Sequence, residues 1–124
     1  MDQFINVFKI LSDETRLRII LLLSKEELCV CELCGILEVS QPTVSRNLGI
    51  LREWNIVVDD RREKFVFYKL REENNLLSNI LKLVSESIKE NRKFILDLER
   101  LKNKEIYISR KEVFLEDGEI LTDC

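Results

Sequence analysis

Three of the chain's four cysteines, Cys29, Cys31 and Cys34, fall in the run ELCVCELCGIL (27–37) with C-x-C-x-x-C spacing, and the chain has no histidine. Thiolates are soft donors. They select trivalent arsenic or antimony, and less strongly cadmium, lead or copper(I). Three thiolates without imidazole and without a fourth near ligand suit a three-coordinate ion that keeps a lone pair. They suit zinc poorly, because zinc takes four ligands. Two other readings of these residues stay open at this point: small buried hydrophobes, or a thiol pair that reports oxidation. The fourth thiol, Cys124, reads first as a bystander and second as an extra ligand.

If all three thiols sat on one straight helix, Cys29 and Cys31 would point about 200° apart and Cys29 and Cys34 about 140° apart. Convergence on one ion then requires the first turn to unwind. Placement near a helix N-terminus also predicts thiol pKa values below the ordinary range.

The elements that position these residues follow from periodicity and caps. Phe4, Val7, Phe8 and Leu11 predict one helical stripe. Ser12 and Asp13 open a second helix whose inner face is Leu17, Ile20, Leu21 and Ser24. The thiol run reads as a third helix carrying Val30, Leu33 and Leu37. Ser40 as N-cap and Pro42 in the first turn start a fourth helix, with Val44, Leu48 and Leu51 buried. Its other face shows Gln41, Thr43, Ser45, Arg46 and Asn47. Two short helices around a tight turn, the second outwardly polar, make a helix-turn-helix pattern. Runs near Val57–Asp60 and Phe65–Leu70 flank the charged RREK (61–64) and predict a hairpin with a loose tip. Trp54 is expected to close the end of the fourth helix against the core.

From about residue 72 a helical stripe returns: Leu77, Ile80, Leu81, Val84, Ile88, Ile95, Leu98 and Leu101. A single helix of that extent is about 40 Å long, more than a small domain covers alone. The surplus predicts a homodimer. Residues 1–103 are expected to form one DNA-binding and dimerisation domain, and 104–124 an extension of unknown structure.

At 124 residues and 45% hydrophobic, the chain has room for one core. A net charge of −3 excludes a uniformly basic nucleic-acid binder. Yet residues 40–71 carry seven basic and four acidic side chains, so positive charge concentrates on the helix-turn-helix and hairpin. Gln41 and Asn47 match adenine edges, Arg46 guanine or phosphate, and Thr43 and Ser45 phosphate or a thymine methyl. Arg61, Arg62 and Lys64 suit phosphate or the minor groove. The longest apolar run, Ile19–Leu23, is far short of the roughly 18 residues that span a membrane. No basic-then-apolar leader opens the chain, so a cytoplasmic location without membrane partner is expected. Thiols there stay reduced. With no Cys–His pair and no phosphate-cradling loop, no enzymatic activity is expected.

The order and spacing of SDETRLRI, ELCVCELC, SQPTVSRNLGILRE and DDRREKFVFYKL, spread over about residues 4–90, resemble the ArsR family of metal- and metalloid-responsive repressors. The resemblance implies a mostly helical α+β fold, a dimeric winged helix-turn-helix of four helices, two strands and a fifth helix. It implies that the apo dimer binds double-stranded operator DNA until an inducer arrives. In arsenic-responsive members the trivalent ion sits on a thiol triplet, which carries over onto Cys29, Cys31 and Cys34. Binding of arsenic or antimony would distort the helix-turn-helix and release DNA, with no organic cofactor. The alternative on the same fold is a thiol redox-sensing repressor. Asn47 stands where many members have histidine. Branches that sense zinc or cobalt through histidines on the last helix are not matched.

Overall fold

The chain enters on a helix, α1 (Asp2–Leu11), and Asp13 starts the next, α2 (Glu14–Leu23), by accepting the Arg16 N–H at 2.9 Å. These coordinates are a computed structural model that describes residues 1–71 and 75–108. Every residue from Ile19 to Leu23 is buried, so the C-terminal half of α2 is enclosed on all sides rather than on the one face its periodicity predicts. In α1 the core side is Val7 and Ile10. Phe4, Ile5 and Phe8 lie about half exposed, so the predicted Phe4–Val7–Phe8–Leu11 stripe is corrected to two apolar faces, one inward and one outward.

The thiol run does not start as a helix. Leu28 and Cys29 form a short strand, β1, and only then does α3 (Val30–Leu37) begin. The strand exists because a distant partner draws it out. Leu28 pairs with Tyr68 and Cys29 with Phe67, in the middle strand of one three-stranded antiparallel sheet. β2 (Val57–Arg62) and β3 (Phe65–Leu70) make the hairpin, in register from Val57↔Leu70 to Arg62↔Phe65. Its tip is the two residues Glu63 and Lys64, tighter than the predicted RREK loop. Glu63 takes the left-handed conformation, φ 55°, that a two-residue connection demands.

α4 (Gln41–Glu53) follows α3 after a short turn, with Pro42 in its first turn and Val44, Leu48 and Leu51 fully buried as predicted. Glu38 ends α3 in a left-handed C-cap, φ 54°. Trp54 caps α4 but remains 40% exposed, alongside Phe4 and Val7 in a surface groove.

The long C-terminal helix predicted from periodicity is two helices, α5 (Asn75–Ser87) and α6 (Arg92–Lys102). Asn91 restarts the chain by accepting the Phe94 N–H at 3.2 Å. α6 folds back on α2 and α3, burying Phe94, Asp97 and Leu101 and leaving Ile95 39% exposed. Helix length therefore no longer argues for a partner helix. The outward face of α1, with Leu83 of α5 at 70% exposure, does. Among the described residues no helix is long and apolar enough to cross a membrane. The architecture is the expected winged helix-turn-helix, mostly helical with a small antiparallel sheet.

Candidate functional site

Cys29 sits at the N-cap of α3 in an extended conformation, φ −90° and ψ 170°. Its thiol and that of Cys31 share a hydrogen bond. This corrects the helical-wheel expectation that the two face opposite ways: β-pairing takes Cys29 out of the helix, so no turn has to unwind for the first two sulfurs to meet. Cys34 lies one turn along α3 from Cys31, and residues three apart in a helix are surface neighbours. Cys29 and Cys31 are buried and Cys34 is half-buried. Among the described residues, no three cysteine or carboxylate side chains are already arranged around a common ion position. The thiols lie close but are not assembled. Their chemistry, three soft donors without a hard one in the set, fits a soft trivalent ion. Cys124 and residues 109–123 lie outside the described residues.

Cys29 also holds the end of α3. Its sulfur accepts the Glu32 N–H, while its own N–H donates to the Glu32 carboxylate at 3.0 Å. This is a capping box with cysteine in the place of serine. The shared hydrogen bond with Cys31, and then burial, push the Cys29 thiol above the ordinary thiol range; the Glu32 N–H pulls the other way. The predicted lowering by the helix N-terminus is overturned here, because desolvation and a neighbouring thiol outweigh one N–H. Glu32 is 2% exposed, and burial raises its carboxyl pKa against the Cys29 N–H and the charge of Lys104. Glu32 escaped the sequence reading. The C-x-x-E spacing (29–32) was its signal.

The C-terminal half of α3 is gripped from behind. Arg18 of α2 donates to the Leu37 carbonyl at 3.1 Å, and Arg100 of α6 to the Ile36 carbonyl at 3.2 Å. Arg100 also pairs with Glu38 at 3.1 Å. The Tyr107 ring lies directly on Gly35, where a Cβ would come within 2.0 Å of it. Residues remote in sequence thus hold the turn that sets the angle between α3 and α4.

On α4, Gln41, Thr43 and Ser45 are half-buried and Arg46 is exposed. Gln41 donates to the Ser45 hydroxyl at 2.6 Å, and Thr43 shares a hydrogen bond with Ser40 at 2.9 Å. Asn47 does not share that surface. It is 5% exposed and its amide donates to the Thr43 carbonyl at 2.9 Å. Its assignment to the contact face is corrected to an intrahelical bond. On the wing, Arg61 and Lys64 are exposed. Arg62 is also exposed but has partners within the protein: it pairs with Glu27, bonds Asp60 at 2.9 Å and stacks 4.9 Å from the Phe67 ring centre.

The sequence pattern of the bacterial regulatory proteins of the arsR family matches residues 13–58, which run from the cap of α2 to β2. The chain is 55% identical over 67 residues to the arsenical resistance operon repressor of Escherichia coli, a match covering 53% of this chain and 57% of that one. It is 43% identical over 100 residues to the arsenic resistance transcriptional regulator ArsR2 of Pseudomonas putida, covering 79% of this chain and 85% of that one. The chain thus spans little more than half of the first relative and most of the second. Among solved structures, the AntR antimony-specific transcriptional repressor superposes with a TM-score of 0.64 at 26% identity, covering 72% of this chain and 79% of that one. The homodimeric winged helix-turn-helix DNA-binding domain Mb0332 of Mycobacterium bovis superposes with a TM-score of 0.59 at 25% identity, covering 73% and 82%. Fold, order of elements and sequence agree, and the chain belongs to the ArsR family of bacterial regulatory proteins.

Proposed function

We propose that this protein is a metalloid-responsive transcriptional repressor of the cytoplasm. Its apo homodimer holds double-stranded operator DNA, and trivalent arsenic or antimony bound by Cys29, Cys31 and Cys34 makes it let go. One observation carries the reading: three thiols gather at the start of the first helix of a helix-turn-helix, one on its N-cap and two on the helix itself, and the second helix presents a polar face. Gln41, Thr43, Ser45 and Arg46 supply base and phosphate contacts, and Arg61 and Lys64 reach phosphate from the wing. The half-exposed Phe4, Ile5 and Phe8 and the exposed Leu83 supply apolar surface for the second copy. Relatives named for arsenical resistance and a neighbour named for antimony support the choice of ion.

Three sulfurs sharing one ion draw Cys29 and Cys34 toward Cys31. A Cys29 sulfur bound to the ion gives up its hydrogen bond from the Glu32 N–H, and the pull of Cys34 strains the first turn of α3. The start of α3 shifts, and the short turn at Glu38 passes the shift to α4. Two recognition helices must enter major grooves about 34 Å apart, so a small change of angle loses contacts at both half-sites. A coupling of about 1–3 kcal/mol per event is typical.

A labelled duplex, selected by the protein from random-sequence DNA, tests this. Sodium arsenite should release the duplex as the sulfur-to-arsenic ultraviolet absorption grows. Cys31→Ser and Cys34→Ser should bind the duplex and ignore arsenite. Variants that still release DNA would sink the site. The hydrogen bond between the Cys29 and Cys31 thiols favours a second reading, a redox sensor, in which peroxide alone converts the two thiols to a disulfide and water. Burial and the raised Cys29 pKa make it the weaker one, because the thiolate is the reactive form.

A further inference from the structure

In a sheet, residues directly opposite share a face, and so do residues two apart on one strand. Cys29 lies opposite Phe67, and Phe67 opposite Asp60. One row therefore crosses all three strands from thiol to carboxylate. Arg62, two residues beyond Asp60, lies over that row. Its guanidinium pairs with Glu27, two residues before Cys29, bonds Asp60 at 2.9 Å and stacks on Phe67 at 4.9 Å. Each of the three strands, or the residue leading into it, supplies one partner. Arg62 is half exposed and Glu27 29% exposed, so the pairing can form and break at modest cost.

We infer that Arg62 is a positioning residue, a strap that pins the thiol strand β1 to the wing, and that movement of Cys29 loosens the wing through it. This rests on the proposed metalloid reading and adds a second route to it. The first route runs from α3 to α4. The second runs across the sheet to the wing tip, where Arg61 and Lys64 lie exposed. The sequence reading assigned Arg62 to DNA. In the free protein its charge is already shared with two carboxylates and an aromatic face.

The test uses the full chain and two variants that alter neither a thiol nor a proposed DNA contact, Glu27→Gln and Phe67→Leu. Amide hydrogen exchange at residues 66–69 is followed with and without sodium arsenite, beside the sulfur-to-arsenic absorption. In wild type, arsenite should speed exchange across this stretch. Glu27→Gln should speed it about fivefold without arsenite, the scale of one half-exposed ion pair. It should also shrink the factor by which arsenite weakens DNA binding, while binding arsenite in the same ratio. Phe67→Leu should act in the same direction, which guards against a fault peculiar to one variant. Glu27→Gln exchange identical to wild type in both conditions overturns the strap. Absence of a sulfur-to-arsenic band in wild type overturns the metalloid reading instead, and the arsenite-free comparison of Glu27→Gln with wild type still decides the strap.

Discussion

Arg18 and Asp97 stand 79 residues apart in the chain and meet as a two-pronged ion pair, Nε to Oδ2 at 2.9 Å and Nη2 to Oδ1 at 2.8 Å. Asp97 is 1% exposed. The same guanidinium holds the Leu37 carbonyl, so one residue joins α2, α6 and the end of the thiol helix.

Removing one partner of a buried pair strands the other charge and costs about 3–5 kcal/mol. Asp97→Ala is expected at the low end of that range, because the Arg18 side chain keeps 17% of its exposure. Urea unfolding measures it. A loss below about 1 kcal/mol would show that the pair contributes little. The variant should also weaken operator binding without arsenite, because the α3–α4 turn loses its support.

Gly35 leaves room for Tyr107 and nothing more. Gly35→Ala gains helix propensity but drives a methyl into the ring, and overpacking costs about 1–3 kcal/mol. The Tyr107 ring must leave. Gly35→Ala combined with Tyr107→Ala should recover most of the loss, a coupling that a double-mutant cycle reads directly. Additive losses would mean that the ring does not rest on Gly35.

Cys29 caps α3, and the proposed function gives it a second, separable role as a ligand. Cys29→Ser keeps an N-cap oxygen, so stability should hold while the arsenite response disappears. Cys29→Ala removes the cap as well and should cost about 1 kcal/mol more. Paired thermal melts and arsenite titrations distinguish the two. Equal stability of the serine and alanine variants would deny the cap.

The raised Cys29 pKa has a consequence at alkaline pH for the ion-free protein. In the unfolded chain the thiol ionises near pH 8.5; in the folded chain it keeps its proton. Above that pH the unfolded state binds fewer protons than the folded state, so stability is full below about pH 8.5 and falls as pH rises. Cys29→Ser should lack this part of the decline. Urea midpoints at pH 8 and pH 10 for both proteins check it, and identical slopes would contradict the assignment.

The sequence determined by itself whatever depends on near neighbours. Asp13 caps α2 because its carboxylate reaches an N–H three residues on. Ser40, Pro42 and the Val44–Leu48–Leu51 spacing set α4, since caps and a 3.6-residue period are local properties. The hairpin and the thiol spacing were readable for the same reason. Tertiary structure alone decided what depends on partners far along the chain. Cys29 left the helix because Phe67 paired with it. Asn91 marks the restart of the last helix locally, but that α6 folds back was decided by Arg18, 79 residues from Asp97. Arg62 met Glu27 because β1 brought that carboxylate beside the wing. Periodicity shows which side chains are apolar or charged; it carries no information about which distant group will meet them.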